Sequence, residues 1–145
     1  SMDIEEQYDK IYRYCYFKLH KQQIAEDITQ ETFLHFLEST TYRNTGQALQ
    51  YLYTIARNLC IDEYRRKPME ELSEELSDYG IEEQLITSIA IKNVLAELNE
   101  EGRELVLLRY VNEVPVSIIS KLYGVSRFVI YRKTKEVLKL LQAKL

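Results

Sequence analysis

Three sets of side chains have types and spacings that suit contact chemistry. Asp27, Gln30, Glu31 and Leu34 fall three or four residues apart or adjacent, which at helical pitch makes a polar stripe with an apolar edge. Carboxylates fixed on a rigid helix suit docking to a basic helical partner. Tyr51, Thr54, Asn58, Asp62 and Arg65 form a second stripe, with Arg57, Arg66 and Lys67 close by. An aromatic ring, hydrogen-bonding groups and a cationic end suit an unpaired nucleic-acid strand, whose bases stack and whose backbone attracts cations. Arg127, Tyr131, Arg132, Lys133 and Lys135 form the third set, behind Ser126. Such side chains on one helix reach phosphates or base edges in a major groove.

Taken singly, each stripe also describes an ordinary solvated helix face. Catalysis has less support. His20 and His35 are 15 residues apart in separate helical patterns. No metal-ligand spacing, phosphate loop or nucleophile motif accompanies them. No cofactor is expected. Cys15 and Cys60 lie inside helical patterns and read as buried, reduced thiols.

The elements that must carry these stripes are helices. Tyr8, Ile11, Tyr12, Cys15, Tyr16 and Leu19 recur at steps of three and four, and Ile24, Ile28, Phe36 and Leu37 mark a second helix over about 23–39. The stretch 40–46 breaks the period and reads as a loop. A third helix runs over about 47–66 with Ala48, Leu49, Leu52, Ile55, Ala56 and Leu59 as its core face, until Pro68 stops it. Helical pattern resumes near Ile81 and runs to Leu98, and a short helix begins at Asn99 or Glu100. Pro115 to Tyr123, then Gly124-Val125-Ser126, then a longer helix make a helix-turn-helix pattern. Gly124 supplies the sharp turn, Val125 is expected to plug the corner, and Ser126 to cap the helix that follows. Ile119, Leu122 and Ile130 are expected to hold the two helices together.

Composition agrees with an all-α chain. Only 4 Gly and 2 Pro occur in 145 residues, too few for many strand-to-strand turns. The net charge of −4 hides an uneven distribution. Residues 68–88 carry 7 acidic and no basic side chains, and residues 89–145 carry 10 basic and 6 acidic ones. The expected plan is two small helical domains, 3–67 and 81–145, joined by an acidic linker at 68–80. No apolar run approaches the roughly 20 residues that span a bilayer, and no basic-plus-apolar leader opens the chain, so a cytoplasmic protein is expected.

Three strings carry a family resemblance. The first runs from Ala25 to Leu34 (AEDITQETFL). The second runs from Ala48 to Arg66 (ALQYLYTIARNLCIDEYRR). The third is Leu105 to Val111 (LVLLRYV), followed by the helix-turn-helix. In order and spacing they resemble the extracytoplasmic-function sigma factors of bacterial RNA polymerase. The resemblance implies a sigma region 2 domain, a sigma region 4 domain and no catalysis. It implies that Asp27, Gln30, Glu31 and Phe33 face the clamp helices of the polymerase β′ subunit, with Leu34 and Leu37 at the edge. The loop residues Thr41, Tyr42, Arg43 and Asn44 would hold a flipped −10 base. Tyr51, Asn58, Asp62, Arg65 and Arg66 would line the −10 strand. Ser126, Arg127, Tyr131, Arg132, Lys133 and Lys135 would meet the −35 duplex, with the β flap as a further partner of that domain. An anti-sigma protein is the implied regulator.

The chain departs from the family in places. Tyr51 stands where Trp is usual, and Ala48 where Phe is common. Ser117, Ile118 and Ser120 replace acidic and alanine positions before the turn, and Glu136 and Leu138 interrupt a helix usually dense in cations. Two readings remain open on this basis: a sigma factor, and a sigma-like co-regulator that binds polymerase with weak −35 recognition.

Overall fold

The computed structural model describes residues 2–39, 47–66 and 96–144, and every element among them is helical. The loop positions 40–46, the acidic segment 68–80 and most of the stretch 81–98 lie outside the described residues. The chain divides into two compact units at the boundary between residues 79 and 80.

The first unit is built from α1 (Ile4–Leu19), α2 (Gln22–Glu38) and α3 (Ala48–Arg66), each packed on the other two. Asp3 caps α1 by accepting the Glu6 N–H at 3.2 Å, and Glu5 and Glu6 complement the positive helix end. α1 ends at His20, held left-handed at φ 63°, whose N–H donates to the Tyr16 carbonyl at 2.7 Å. His20 and Lys21 are then the whole link to α2.

Side-chain spacing decides what this bundle buries. α1 turns inward Ile11, Tyr14, Cys15, Tyr16 and Leu19. α2 contributes Ala25, Ile28, Thr29, Thr32, Phe33 and Phe36. The two threonines bury without an unpaired hydroxyl, since Thr29 Oγ1 donates to the Ala25 carbonyl and Thr32 Oγ1 to the Ile28 carbonyl, both at 2.7 Å. Their methyl groups are then free to act as core. On α3 the buried set is Leu52, Tyr53, Ala56, Cys60 and Glu63. This corrects the expected core face: Ala48, Leu49, Ile55 and Leu59 are only half-buried. Tyr53 rotates the face inward because its ring meets Tyr14 edge-on, with centroids 6.0 Å apart. Cys15 and Cys60 are buried free thiols.

The second unit holds α4 (Glu100–Val106), a π-helical turn (Leu107–Val111), α5 (Val116–Tyr123) and α6 (Arg127–Lys144). Asn99 caps α4 by accepting the Gly102 N–H at 2.8 Å. A Cβ at Gly102 would press on the capping Asn99 Oδ1 at 3.2 Å, while it would meet Val137 Cγ2 of α6 at an ordinary contact distance of 3.6 Å. The π-turn closes with the Asn112 N–H on the Leu107 carbonyl at 2.8 Å, and Glu113 follows at φ 56°. Leu105, Leu107, Leu108, Val114, Ile119 and Ile130 form the core.

The turn between α5 and α6 follows its sequence signals at two residues and departs at a third. Gly124 adopts φ 70°, and its N–H donates to the Ser120 carbonyl. Ser126 Oγ accepts the Val129 N–H at 3.2 Å. Val125, expected to fill the corner, is instead 37% exposed. Ile119 and Ile130 fill it, with Leu122 half-buried.

Candidate functional site

The buried stripe of α2 fixes what its opposite face presents. With Ile28, Thr29, Thr32 and Phe36 turned inward, Asp27, Gln30 and Glu31 stand in solvent. Leu34 and Leu37 stand there too, 64% and 47% exposed. A leucine left that open between carboxylates contributes nothing to the core of its own unit. Phe33 does not join this surface. It is 5% exposed and packs on Tyr8, with ring centroids 5.1 Å apart, and on Phe36. Its place is in the core, because it sits one turn from Thr29 and Phe36 on the inward stripe. His35 Nε2 lies 3.6 Å from Glu31 Oε2 at the edge of the exposed face.

α3 presents Asn58, Asp62, Arg65 and Arg66 to solvent. Tyr51 is half-buried, its ring 6.2 Å from that of Phe36, so one face of it is seated on the bundle. Thr54 Oγ1 donates to the Gln50 carbonyl at 2.8 Å, which spends the hydroxyl within its own helix. Arg66 is exposed but already engaged: its Nη2 donates to Glu63 Oε1 at 2.6 Å. That hydrogen bond, then the charge of Glu63 and more weakly that of Glu31 on α2, hold its pKa above the usual guanidinium value. Arg66 stays cationic at every pH at which the fold persists, and it is aimed by a buried carboxylate. Glu63 was missed in the sequence, although an acidic residue three positions before an arginine was a visible signal. Thr41, Tyr42, Arg43 and Asn44 lie outside the described residues.

In the second unit α6 buries Ile130 and Thr134 and turns Arg127, Arg132 and Lys135 outward. Tyr131 is 59% exposed. Thr134 Oγ1 donates to the Ile130 carbonyl at 3.0 Å, which again allows burial. Ser126 uses its hydroxyl as a helix cap rather than leaving it for a ligand. Lys133 departs from the expected set. Its Nζ lies 3.0 Å from Glu101 Oε1 on α4, and its side chain is 31% exposed. It belongs to the seam between α4 and α6 rather than to the outward face. Phe128, unmarked in the sequence analysis, is 72% exposed on that outward face. The turn itself is braced from behind, where the Tyr123 hydroxyl donates to the buried Glu104 carboxylate at 2.6 Å.

Comparison with known proteins identifies the family. Residues 4–68 match the Sigma-70 region 2 family. The chain is similar to the ECF RNA polymerase sigma factor BldN of Streptomyces coelicolor, 29% identical over 149 residues, which cover 92% of this chain and 56% of that protein. It is similar to the ECF RNA polymerase sigma factor SigW of Bacillus subtilis, 27% identical over 136 residues, 81% of this chain and 73% of that one. It is 31% identical over 119 residues to the ferric citrate uptake sigma factor FecI of Escherichia coli, covering 75% of this chain and 69% of FecI. The chain belongs to the extracytoplasmic-function sigma factors. Members of this family are initiation factors rather than enzymes. No helix among the described residues is long and apolar enough to cross a membrane.

Proposed function

We propose that the chain binds core RNA polymerase and directs promoter-specific initiation, as an alternative sigma factor working in the cytoplasm. The observation that carries this reading is the outward face of α2. There Leu34 and Leu37 stand exposed beside Asp27, Gln30 and Glu31, on a helix that α1 and α3 hold from behind. Such a face suits the β′ clamp helices, since apolar contact supplies affinity and the carboxylates supply orientation. Asn58, Asp62, Arg65 and Arg66 on α3, with Tyr51 seated at their head, offer hydrogen bonds, cations and a stacking ring to the unpaired −10 strand. The second unit acts as region 4. Arg127, Tyr131, Arg132 and Lys135 meet the −35 duplex, and the rest of that unit docks on the β flap. An anti-sigma protein would silence the factor by covering Leu34 and Leu37.

The test is copurification of the full chain with core polymerase, followed by transcription from promoters of its own genome. Stable assembly and discrete start sites are expected. No assembly, or assembly with random starts, defeats the reading. The co-regulator reading draws on one specific observation, the engagement of Lys133 by Glu101, which thins the cations on the duplex-facing side. Assembly with polymerase but no sequence preference in the −35 segment favours it.

A further inference from the structure

Phe128 occupies the first turn of α6, directly after the Ser126 cap and Arg127. At 3.6 residues per turn it shares a strip with Arg132 and Lys135, opposite the buried Ile130 and Thr134. Among the described residues it is the most open of the exposed large apolar side chains, at 72%. Tyr131, one turn on and 59% exposed, widens the apolar patch. A phenyl ring has no hydrogen-bond donor or acceptor, so phosphates and the polar edges of bases give it nothing. Cations flank it, and the first turn of the second helix in a helix-turn-helix is the part that reaches base edges. The apolar feature a base pair shows in the major groove is the C5-methyl group of thymine.

We propose that Phe128 reads thymine in the −35 element by packing its ring on a C5-methyl group, with Arg127, Arg132 and Lys135 holding the backbone on either side. This rests on α6 being the duplex-reading helix. It adds a base preference set by shape and apolarity to a surface otherwise limited to charge and hydrogen bonding. It also gives the chain a selectivity that its reduced set of cations does not supply.

The experiment uses the full chain assembled with core polymerase and a pool of duplexes randomised across the −35 segment. Selection is expected to enrich thymine at one step. The selected duplex is then rebuilt with uracil at that step, which removes the methyl group and leaves both base pairing and the protein untouched. Wild-type holoenzyme should lose about fourfold in affinity, the equivalent of about 0.8 kcal/mol for one buried methyl-sized group. The Phe128→Ala holoenzyme should bind both duplexes alike, and Phe128→Leu should keep part of the discrimination. The inference is overturned, with −35 recognition intact, by any of three results: a sequence is selected without thymine, wild type ignores uracil, or Phe128→Ala discriminates as well as wild type. Failure to select any sequence in that segment removes the −35 reading itself, and the inference with it.

Discussion

Helices α2 and α6 use the same device with opposite charge. Each buries a stripe against its own unit and exposes large apolar side chains on the other side. On α2 these are Leu34 and Leu37 beside Asp27 and Glu31. On α6 they are Phe128 and Tyr131 beside Arg127, Arg132 and Lys135. Apolar exposure alone would make both generic sticky patches. The sign of the surrounding charge separates them: an acidic rim suits a basic partner, and a basic rim suits a polyanion. The net charge of −4 averages this distinction away.

The comparison can be broken most sharply on α2, between its two faces. Phe36→Ala empties a fully buried site that touches Phe33 and Tyr51. It should cost about 3–5 kcal/mol of stability, read as a large drop in the urea midpoint of the full chain. Leu34→Ala, two residues before it, should leave that midpoint within about 0.5 kcal/mol and weaken core polymerase binding by about 1.5–3 kcal/mol, the worth of a leucine side chain taken from water. A titration against labelled core polymerase reads it. Equal effects of both variants on stability would erase the distinction between the faces.

On α6 the expected effects are smaller. Ser126→Ala leaves the Val129 N–H without its cap and should cost about 1 kcal/mol, visible in thermal unfolding. Arg132→Ala should lower the slope of log affinity against log salt by about one on promoter duplex. Lys133→Ala should leave that slope almost unchanged, because its ammonium is already engaged by Glu101. A matching drop for Lys133 would return it to the DNA-facing set.

Much of this was legible in the sequence, and the failures have physical causes. Helical periodicity located α2 and α3 to within about a residue and marked α1 from Tyr8 to Leu19, one turn short of its start at Ile4. It also separated Asp27, Gln30, Glu31 and Leu34 from Ile28 and Phe36. The core of α3 was misjudged because tyrosine and cysteine were left out of it, whereas Tyr53 and Cys60 pack like any large and small apolar group. Thr29 and Thr32 looked polar, but their hydroxyls bond carbonyls one turn back and the remainder is hydrocarbon. Phe33 was assigned to the docking face by family resemblance against its own spacing, and the spacing prevailed. Lys133 pairs with a residue 32 positions earlier, a contact that no local pattern encodes. Phe128 carries no mark in the sequence, because an isolated phenylalanine beside a helix start has no spacing that separates core from surface; its position opposite Ile130 and Thr134 shows the exposure.

The link between α1 and α2 has a consequence for recognition. It is two residues long, and His20 is fixed in a left-handed conformation with its N–H spent on Tyr16. A joint that short leaves α2 little freedom to hinge, so its outward face is a rigid mount. Binding then has to still a few side chains and almost no backbone. Association on such a mount loses little conformational entropy, whichever protein occupies the face.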